Sequence, residues 1–225
     1  MKKVVLLIIA FISVLPSTIK AQEELGQNYV KLQFIQPLGE YKDFYSSGFG
    51  AEFGRMFPFN FDIADGLIIP GLDITFINTT FNTGKEYNYN PKDEYLTTKS
   101  GLLWDLSVKL GPMVTIGITD GLVADFAVQY DPTVVFSLGR KGLDPDKFRQ
   151  EERVYKEKSA SSVSFAHRVS IKGDIRYTHF LFGLEFVLGG TSLNYNHEII
   201  PENDDLTDEV SLGLGTLLLN FGFTF

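Results

Sequence analysis

Cysteine is absent from this chain of 225 residues, and histidine and tryptophan are scarce, with three and one residues respectively. Without cysteine the protein can form no disulfide, has no thiol nucleophile and cannot carry a lipid on an N-terminal cysteine. Histidine-dependent chemistry is limited to His167, His179 and His197. No phosphate-binding loop, haem-attachment motif or metal-ligand cluster occurs in the sequence. We therefore expect no metal site and no cofactor.

Long apolar runs are also missing, except for residues 4–15. This run follows Lys2 and Lys3, ends at Pro16 and is followed by a small residue, Ala21. The pattern is typical of a cleavable signal peptide. A dozen residues are also too few for a helix across a bilayer, which needs roughly 20. We expect residues 1–21 to be a signal peptide and residues 22–225 to form the folded domain, with a retained membrane anchor as the alternative.

Basic residues are in deficit. The chain has 20 Lys and Arg against 28 Asp and Glu, a net charge of −8, and loss of Lys2, Lys3 and Lys20 with the leader would make it −11. A nucleic-acid partner requires a basic surface that could neutralise phosphates. The composition therefore argues against nucleic-acid binding.

Period-two alternation of apolar and polar residues dominates the remaining sequence and predicts β-strands. Eight segments show it: residues 27–38, 48–57, 67–78, 101–116, 122–136, 163–172, 175–189 and 210–225. Most of them exceed the usual five or six residues of a soluble strand and match the roughly 9–11 needed for a tilted membrane strand. Eight sequential strands predict an all-β, eight-stranded antiparallel up-and-down transmembrane β-barrel.

The predicted connections alternate in length. Residues 58–66, 117–121 and 173–174 form short connections, whereas residues 79–100, 137–162 and 190–209 form long ones, and 39–47 is intermediate. Long loops at one rim and short turns at the other are typical of outer-membrane barrels, with both termini on the periplasmic side.

Each strand separates an apolar face from a polar face. A soluble barrel would turn the apolar face inward, whereas a membrane barrel turns it to lipid. Because an eight-stranded barrel has an interior only wide enough for side chains to fill, so many large apolar residues would be crowded inside. The predicted lipid-facing residues include Trp104, Leu106, Phe126, Phe180, Phe182, Phe186, Leu217 and Leu219.

The opposite faces carry charges of both signs, and buried charges must pair to be tolerated. We therefore expect a network of ion pairs that fills the lumen. Its predicted members are Lys31, Glu52, Asp73, Asp105, Lys109, Asp125, Arg168, Lys172, His179 and Glu185.

Several short motifs carry a family resemblance: residues 19–22 (IKAQ), 36–39 (QPLG), 48–54 (GFGAEFG), 110–112 (LGP) and 220–225 (NFGFTF). With them the whole predicted mature chain resembles the small outer-membrane β-barrel proteins, of OmpA- and OmpX-like architecture, and more specifically the "outer membrane protein β-barrel domain" and PorT-like families. The resemblance implies a location in the bacterial outer membrane and contact with its lipids. It also implies that Phe221, Phe223 and Phe225 form a C-terminal signal read by the barrel-assembly machinery.

These families mostly lack an assigned biochemical activity, so the favoured hypothesis is a non-enzymatic structural barrel or one that contacts a surface or envelope partner. Three alternatives stay open: a narrow porin-like conduit, a lipid A-modifying enzyme and a soluble periplasmic barrel that binds an apolar ligand. Acyl-transfer or hydrolytic chemistry needs a histidine near a nucleophile and an acidic partner, and no local arrangement of that kind appears around the three histidines.

Overall fold

A computed structural model of the chain describes residues 27–39, 41–59, 63, 67–88, 97–99, 101–141, 154–155, 159–200 and 205–225. Its eight long strands are β1 (Asn28–Leu38), β2 (Tyr45–Pro58), β3 (Ile68–Gly84), β4 (Leu102–Thr119), β5 (Leu122–Lys141), β6 (Ser159–Tyr177), β7 (Phe180–Ile200) and β8 (Asp205–Thr224). A four-residue helix, α1 (Tyr41–Phe44), lies between β1 and β2. Among the described residues, no helix is long and apolar enough to cross a membrane. The predicted signal peptide, residues 1–21, lies outside the described residues.

The strands close into a barrel. Each pairs with the next in antiparallel fashion. The last strand, β8, pairs with β1, for example at Leu32 and Phe221. Closure leaves no unpaired sheet edge around the barrel wall. The prediction of an eight-stranded antiparallel up-and-down β-barrel is confirmed.

The two ends of the barrel differ. We call one end the turn rim: it holds Phe59, Leu67, the turns 120–121 and 178–179, and the residues Asn28 and Phe225. The opposite end, the loop rim, holds α1 and the strand ends Leu38, Gly84, Leu102, Lys141, Ile200 and Asp205. Gly121 permits the tight turn at 120–121 because its φ of 74° lies in the left-handed region that favours glycine.

One predicted turn is wrong. Gly173 and Asp174 lie inside β6, and the chain reverses five residues later, at Thr178 and His179. A Gly–Asp pair locally favours a turn. Here Gly173 packs beside the Phe126 ring on the neighbouring strand, and Asp174 points inward and binds Lys31. Tertiary contacts therefore keep the dipeptide extended.

The predicted long loops are shorter than the sequence indicates. The interval 190–209 is mostly strand, because β7 continues to Ile200 and β8 begins at Asp205. Similar extensions shorten 79–100 and 137–162, and residues 86–88 pair with 97–99. Val154–Tyr155 pairs with the end of β7. Backbone pairing thus persists beyond the apolar alternation by which the strands are recognised in the sequence.

Side chains alternate between the two surfaces of the wall. On β1 the inward residues Lys31 and Gln33 are buried, whereas their neighbours Leu32 and Phe34 are exposed. The same alternation holds on β4 for Lys109 against its outward neighbours. A period-two strand in a closed wall must place one residue set inside and the other outside. Here the polar set is inside.

Candidate functional site

Nine of the ten residues predicted for the lumen lie buried inside the barrel; His179 does not. His179 is exposed in the turn between β6 and β7, where its Nδ1 lies 3.2 Å from the Thr224 carbonyl oxygen. The prediction is wrong because it extends the alternation of β7 back past Phe180, where the strand begins.

Lys109 is the centre of the interior charge cluster. Its Nζ donates to Glu185 Oε1 at 2.5 Å and to Glu52 Oε2 at 2.7 Å, and all three side chains are fully buried. These residues come from β4, β7 and β2, so the two ion pairs cross the lumen. Charge-assisted hydrogen bonds of this length are stronger than neutral ones.

Two more lysines extend the cluster towards the turn rim. Lys31 donates to Asp174 Oδ2 at 2.7 Å and lies 3.5 Å from Glu52 Oε1. Lys172 pairs with Asp73 and lies 3.6 Å from the same Glu52 oxygen. Glu52 therefore contacts all three lysines of the cluster, which joins the separate ion pairs into one network.

Neutral polar side chains add further hydrogen bonds to this network. Ser170 donates to Glu185 Oε1 at 2.6 Å, and the Tyr29 hydroxyl donates to Asp73 Oδ1 at 2.9 Å. The same Tyr29 hydroxyl lies 3.5 Å from Lys172 Nζ. Because a buried charge is costly when it is unpaired, this second set of partners is what makes the cluster tolerable.

Two arginine–aspartate pairs lie on either side of the cluster. Towards the turn rim, Arg176 donates to Asp125 from Nε at 2.5 Å and from Nη2 at 3.1 Å. Towards the loop rim, Arg168 Nη1 donates to Asp105 Oδ2 at 2.7 Å. Charged pairs are therefore distributed along the whole depth of the lumen.

Apolar clusters lie on either side of the central Lys109 ion pairs, and the Arg176–Asp125 pair lies beyond the first of them, nearer the turn rim. The inward face of β4, read from the loop rim, passes Leu103, Asp105, Lys109 and Met113. Around Met113 the residues Tyr29, Met56, Ala127 and Leu181 form an apolar cluster. Around Leu103 a second apolar cluster contains Tyr41, Tyr45, Val135 and Ala166. The central ion pairs are thus enclosed above and below.

Helix α1 supplies part of the loop-rim cluster. Tyr41 is buried, and its hydroxyl donates to Asn82 Oδ1 at 3.2 Å. Burial raises the pKa of the Tyr41 phenol well above its ordinary value, so the hydroxyl stays protonated and remains a donor. The helix therefore fills the mouth of the barrel with an aromatic side chain.

A small cavity of about 20 Å³ remains below Tyr41, among Asn78, Asp105, Asp131 and Arg168. Such a volume accommodates roughly one water molecule. This cavity is too small to hold a continuous file of water molecules.

The eight residues predicted to face lipid all lie on the outer surface. Leu106, Phe126, Phe180, Phe182, Phe186 and Leu219 are exposed, and Trp104 and Leu217 are half-buried. Half-burial of Trp104 results from stacking on Phe81 and Phe136, at centroid distances of 5.9 and 4.8 Å. Phe221 and Phe223 belong to the same surface and contact Phe182 and Phe180.

The two histidines with described side chains lie outside the interior charge cluster. His167 lies on the outer surface, where its Nδ1 contacts the Tyr130 hydroxyl, and His179 lies at the turn rim. The third histidine, His197, has no described side chain. Within the described ranges, no group of three or more His, Asp or Glu residues could hold a metal ion.

Several residues inside the barrel are not among those predicted from the sequence. Asp174 and Arg176 are missed because they are assigned to a turn and to the following strand. Asp131 is buried inside β5 and shares the inward parity of Asp125, so continuing the alternation by six residues would have found it.

Among known proteins, the chain is similar to solved structures only in the comparison of folds. No family model matches the chain, and no curated protein matches it. A structure of Ail, the attachment invasion locus protein of Yersinia pestis, in complex with the heparin analogue sucrose octasulfate is 12% identical, with a TM-score of 0.41. A second Ail structure is 11% identical, with a TM-score of 0.39. Each comparison covers 89% of this chain and 99% of the other.

Proposed function

We propose that this chain is an integral protein of the bacterial outer membrane, with a structural role or a role in contacting an envelope or surface partner, and no enzymatic activity. The observation that carries the proposal is the polarity of the wall. Leu184 and Phe186 are about half exposed on the outside, while Glu185 between them and Lys109 opposite are fully buried.

That polarity suits a bilayer and not water. In water an apolar belt of this extent on every strand would promote association, since soluble monomers rarely expose apolar patches beyond a few hundred Å². In lipid the same belt is favourable, and a closed barrel satisfies all backbone hydrogen bonds without solvent. The belt therefore supports a transmembrane barrel over a soluble barrel that binds an apolar ligand.

Location and orientation follow from the same proposal. Transmembrane barrels are a feature of outer membranes, where short turns face the periplasm and longer loops face outward. Asn28 and Phe225 are hydrogen-bonded to each other at the turn rim. We accordingly place both termini in the periplasm and assign Phe221, Phe223 and Phe225 to recognition by the assembly machinery.

The interior supports a closed lumen in preference to a conduit. Lys109 spans the lumen between Glu52 and Glu185, and the apolar clusters around Met113 and Leu103 lie on either side. An ion crossing this path would have to break the pairs and pass both apolar clusters. We expect purified protein in planar bilayers to give no single-channel conductance, and steady conductance would favour the porin-like alternative.

Fractionation and gel migration test the proposal. The protein should partition with outer membranes, require detergent for extraction and migrate differently before and after boiling in SDS. Recovery in the aqueous fraction without detergent would reject it. For the lipid A-modifying alternative, overproduction should leave lipid A unchanged, and a modification lost in His179→Ala or His197→Ala would support an enzyme instead.

A further inference from the structure

The apolar belt has very different heights on opposite sides of the barrel. On β4 every outward residue from Leu102 to Ile118 is apolar, and on β5 the outward residues from Leu122 to Leu138 are apolar apart from Tyr130. Sixteen residues at ~3.3 Å each, in a strand tilted by about 40°, span roughly 40 Å along the barrel axis. We call the outward surface of β4 and β5 the tall face.

On the other side, polar residues interrupt the belt. Outward Asn28 and Gln36 bound the apolar stretch of β1, and outward Arg55 and Ser47 bound that of β2. Each pair is eight residues apart, which corresponds to roughly 20 Å along the axis. We call the outward surface of β1 and β2 the short face. An apolar band of about 25 Å is usual, so the tall face has a large excess.

The strand register sets the relative heights. A path that starts at Tyr29 on β1 and steps from each residue to its partner on the next strand returns to β1 about ten residues nearer the loop rim. Each row of paired residues therefore climbs roughly 3 Å per strand in the direction from β6 to β1. One such row contains Val169, Leu188, Gly215 and Leu38.

Trp104 lies higher than Gln36 on this scale. Trp104 pairs with Phe136, which pairs with Val163, and Val163 is six residues above Val169 on β6. With a rise of about 2.5 Å per residue along the axis, Trp104 lies level with Leu38 and roughly 5 Å above Gln36. A flat bilayer perpendicular to the barrel axis that covers Trp104 must therefore also cover Gln36.

The polar groups of the tall face are bonded within the chain. Trp104 Nε1 donates to Thr79 Oγ1 at 2.8 Å, and the Tyr130 hydroxyl is bonded to His167 Nδ1. In hydrocarbon, polar groups must find partners inside the protein because no water is present. On the short face, exposed Gln36 accepts a hydrogen bond from Ser47 Oγ at 2.8 Å, and its amide nitrogen donates to the Pro37 carbonyl oxygen at a long 3.4 Å.

Resting on the proposed membrane location, we propose that the barrel deforms the bilayer around it, with acyl chains rising along the tall face above the level at which they end on the short face. Lipid is the occupant favoured by the unbroken apolar columns of β4 and β5, which continue the central belt upward. Stretching a bilayer locally has a modest cost. Exposing Leu102, Trp104 and Phe136 to water would be unfavourable because of the hydrophobic effect.

The single tryptophan permits a direct test. Three proteins would be refolded into vesicles whose lipids carry bromine on the acyl chains: the native chain, W104F/F182W and W104F/Q36W. Phe182 is outward and 55% exposed in the middle of the belt, so W104F/F182W serves as the reference. Heat-dependent gel migration would first establish that each protein is folded. Fluorescence quenching by the brominated lipid would then be compared with quenching by aqueous iodide.

We expect Trp104 to be quenched by brominated lipid as strongly as the reference tryptophan and to be protected from iodide. The tryptophan of W104F/Q36W, although lower on the barrel, should show red-shifted emission and iodide quenching. The reverse order would overturn the inference and leave the membrane proposal intact. Iodide quenching of W104F/F182W would instead reject the membrane proposal itself.

A second copy of the chain could cover the tall face instead of lipid. In that case Trp104 would be shielded from both quenchers, and L138C would form disulfide-linked dimers in this otherwise cysteine-free chain. Leu138 is outward and 40% exposed near the loop rim. We expect L138C to remain monomeric, and efficient cross-linking would overturn the proposal.

Discussion

The inside and outside of this barrel contrast sharply, although each strand contributes to both. Lys109 and Leu110 are consecutive on β4, yet Lys109 is 1% exposed and contacts two glutamates, while Leu110 is 51% exposed. Interior stability depends on specific partners, because each charge needs its counter-charge. Exterior stability depends on the surrounding medium, because the apolar side chains have few partners within the chain.

The two surfaces should therefore respond to opposite kinds of substitution. Removing a charge inside leaves another charge uncompensated, whereas adding a charge outside would, at the proposed membrane location, place it in lipid. Substitutions at two neighbouring residues of one strand therefore differ in the surface they affect and share the same strand. Comparing their effects on stability tests which surface faces inward.

Lys109→Met should have the largest effect. It leaves Glu52 and Glu185 without their shared cation, and breaking a buried ion pair typically costs about 3–5 kcal/mol of unfolding free energy. Urea unfolding of refolded protein measures the loss. The double variant K109M/E185Q should recover part of it, because it removes one of the stranded charges. Equal stability of native protein and K109M would show that the interior charges are solvated.

Leu110→Lys should have the next largest effect, about 2–4 kcal/mol, because a lysine near the bilayer midplane is costly. Leu122→Lys is the matched control, since Leu122 is also outward but lies at the turn rim, where the cost falls to roughly 0–1 kcal/mol. Unfolding titrations in vesicles would compare the two. If L110K costs no more than L122K, the outer surface does not face hydrocarbon.

Tyr41→Phe removes the hydrogen bond to Asn82 in the loop-rim cluster and should lower the unfolding free energy by about 0.5–1.5 kcal/mol. Tyr177→Phe is the control, because Tyr177 is outward and 58% exposed, and it should change stability little. Similar values for both would indicate that α1 does not pack into the mouth of the barrel.

Thr178→Gly should have the smallest effect, a gain below about 1 kcal/mol. Thr178 has a φ of 52°, which is strained for a β-branched residue and comfortable for glycine. The substitution lies outside both surfaces and is the control for general effects of mutation. A loss of stability in thermal or urea unfolding would contradict the backbone argument.

Strand parity was predictable because it depends only on neighbouring residues. The alternation on β4 and β7 correctly separates Trp104 and Phe182 from Asp105 and Glu185. The turn at Thr178 and His179 was not predictable from local preference, because contacts from other strands hold Gly173 and Asp174 in an extended conformation.

Which inward charges form ion pairs with each other could not be predicted from the sequence. Lys109 reaches Glu185, 76 residues away, only because the register of seven neighbouring strand pairs and the closing pair brings them together. Periodicity identifies which residues point inward but contains no information on register. The height difference between the tall and short faces depends on the same register and could likewise not be read from one strand.

The most direct test of wall orientation is a nuclear Overhauser measurement on the protein in lipid nanodiscs. We expect contacts from acyl-chain protons to Phe182, Leu184 and Leu219, and none to the side chains of Lys109 or Glu185. Water contacts at Phe182 and Leu184, with no acyl contacts anywhere on β7, would contradict this expectation.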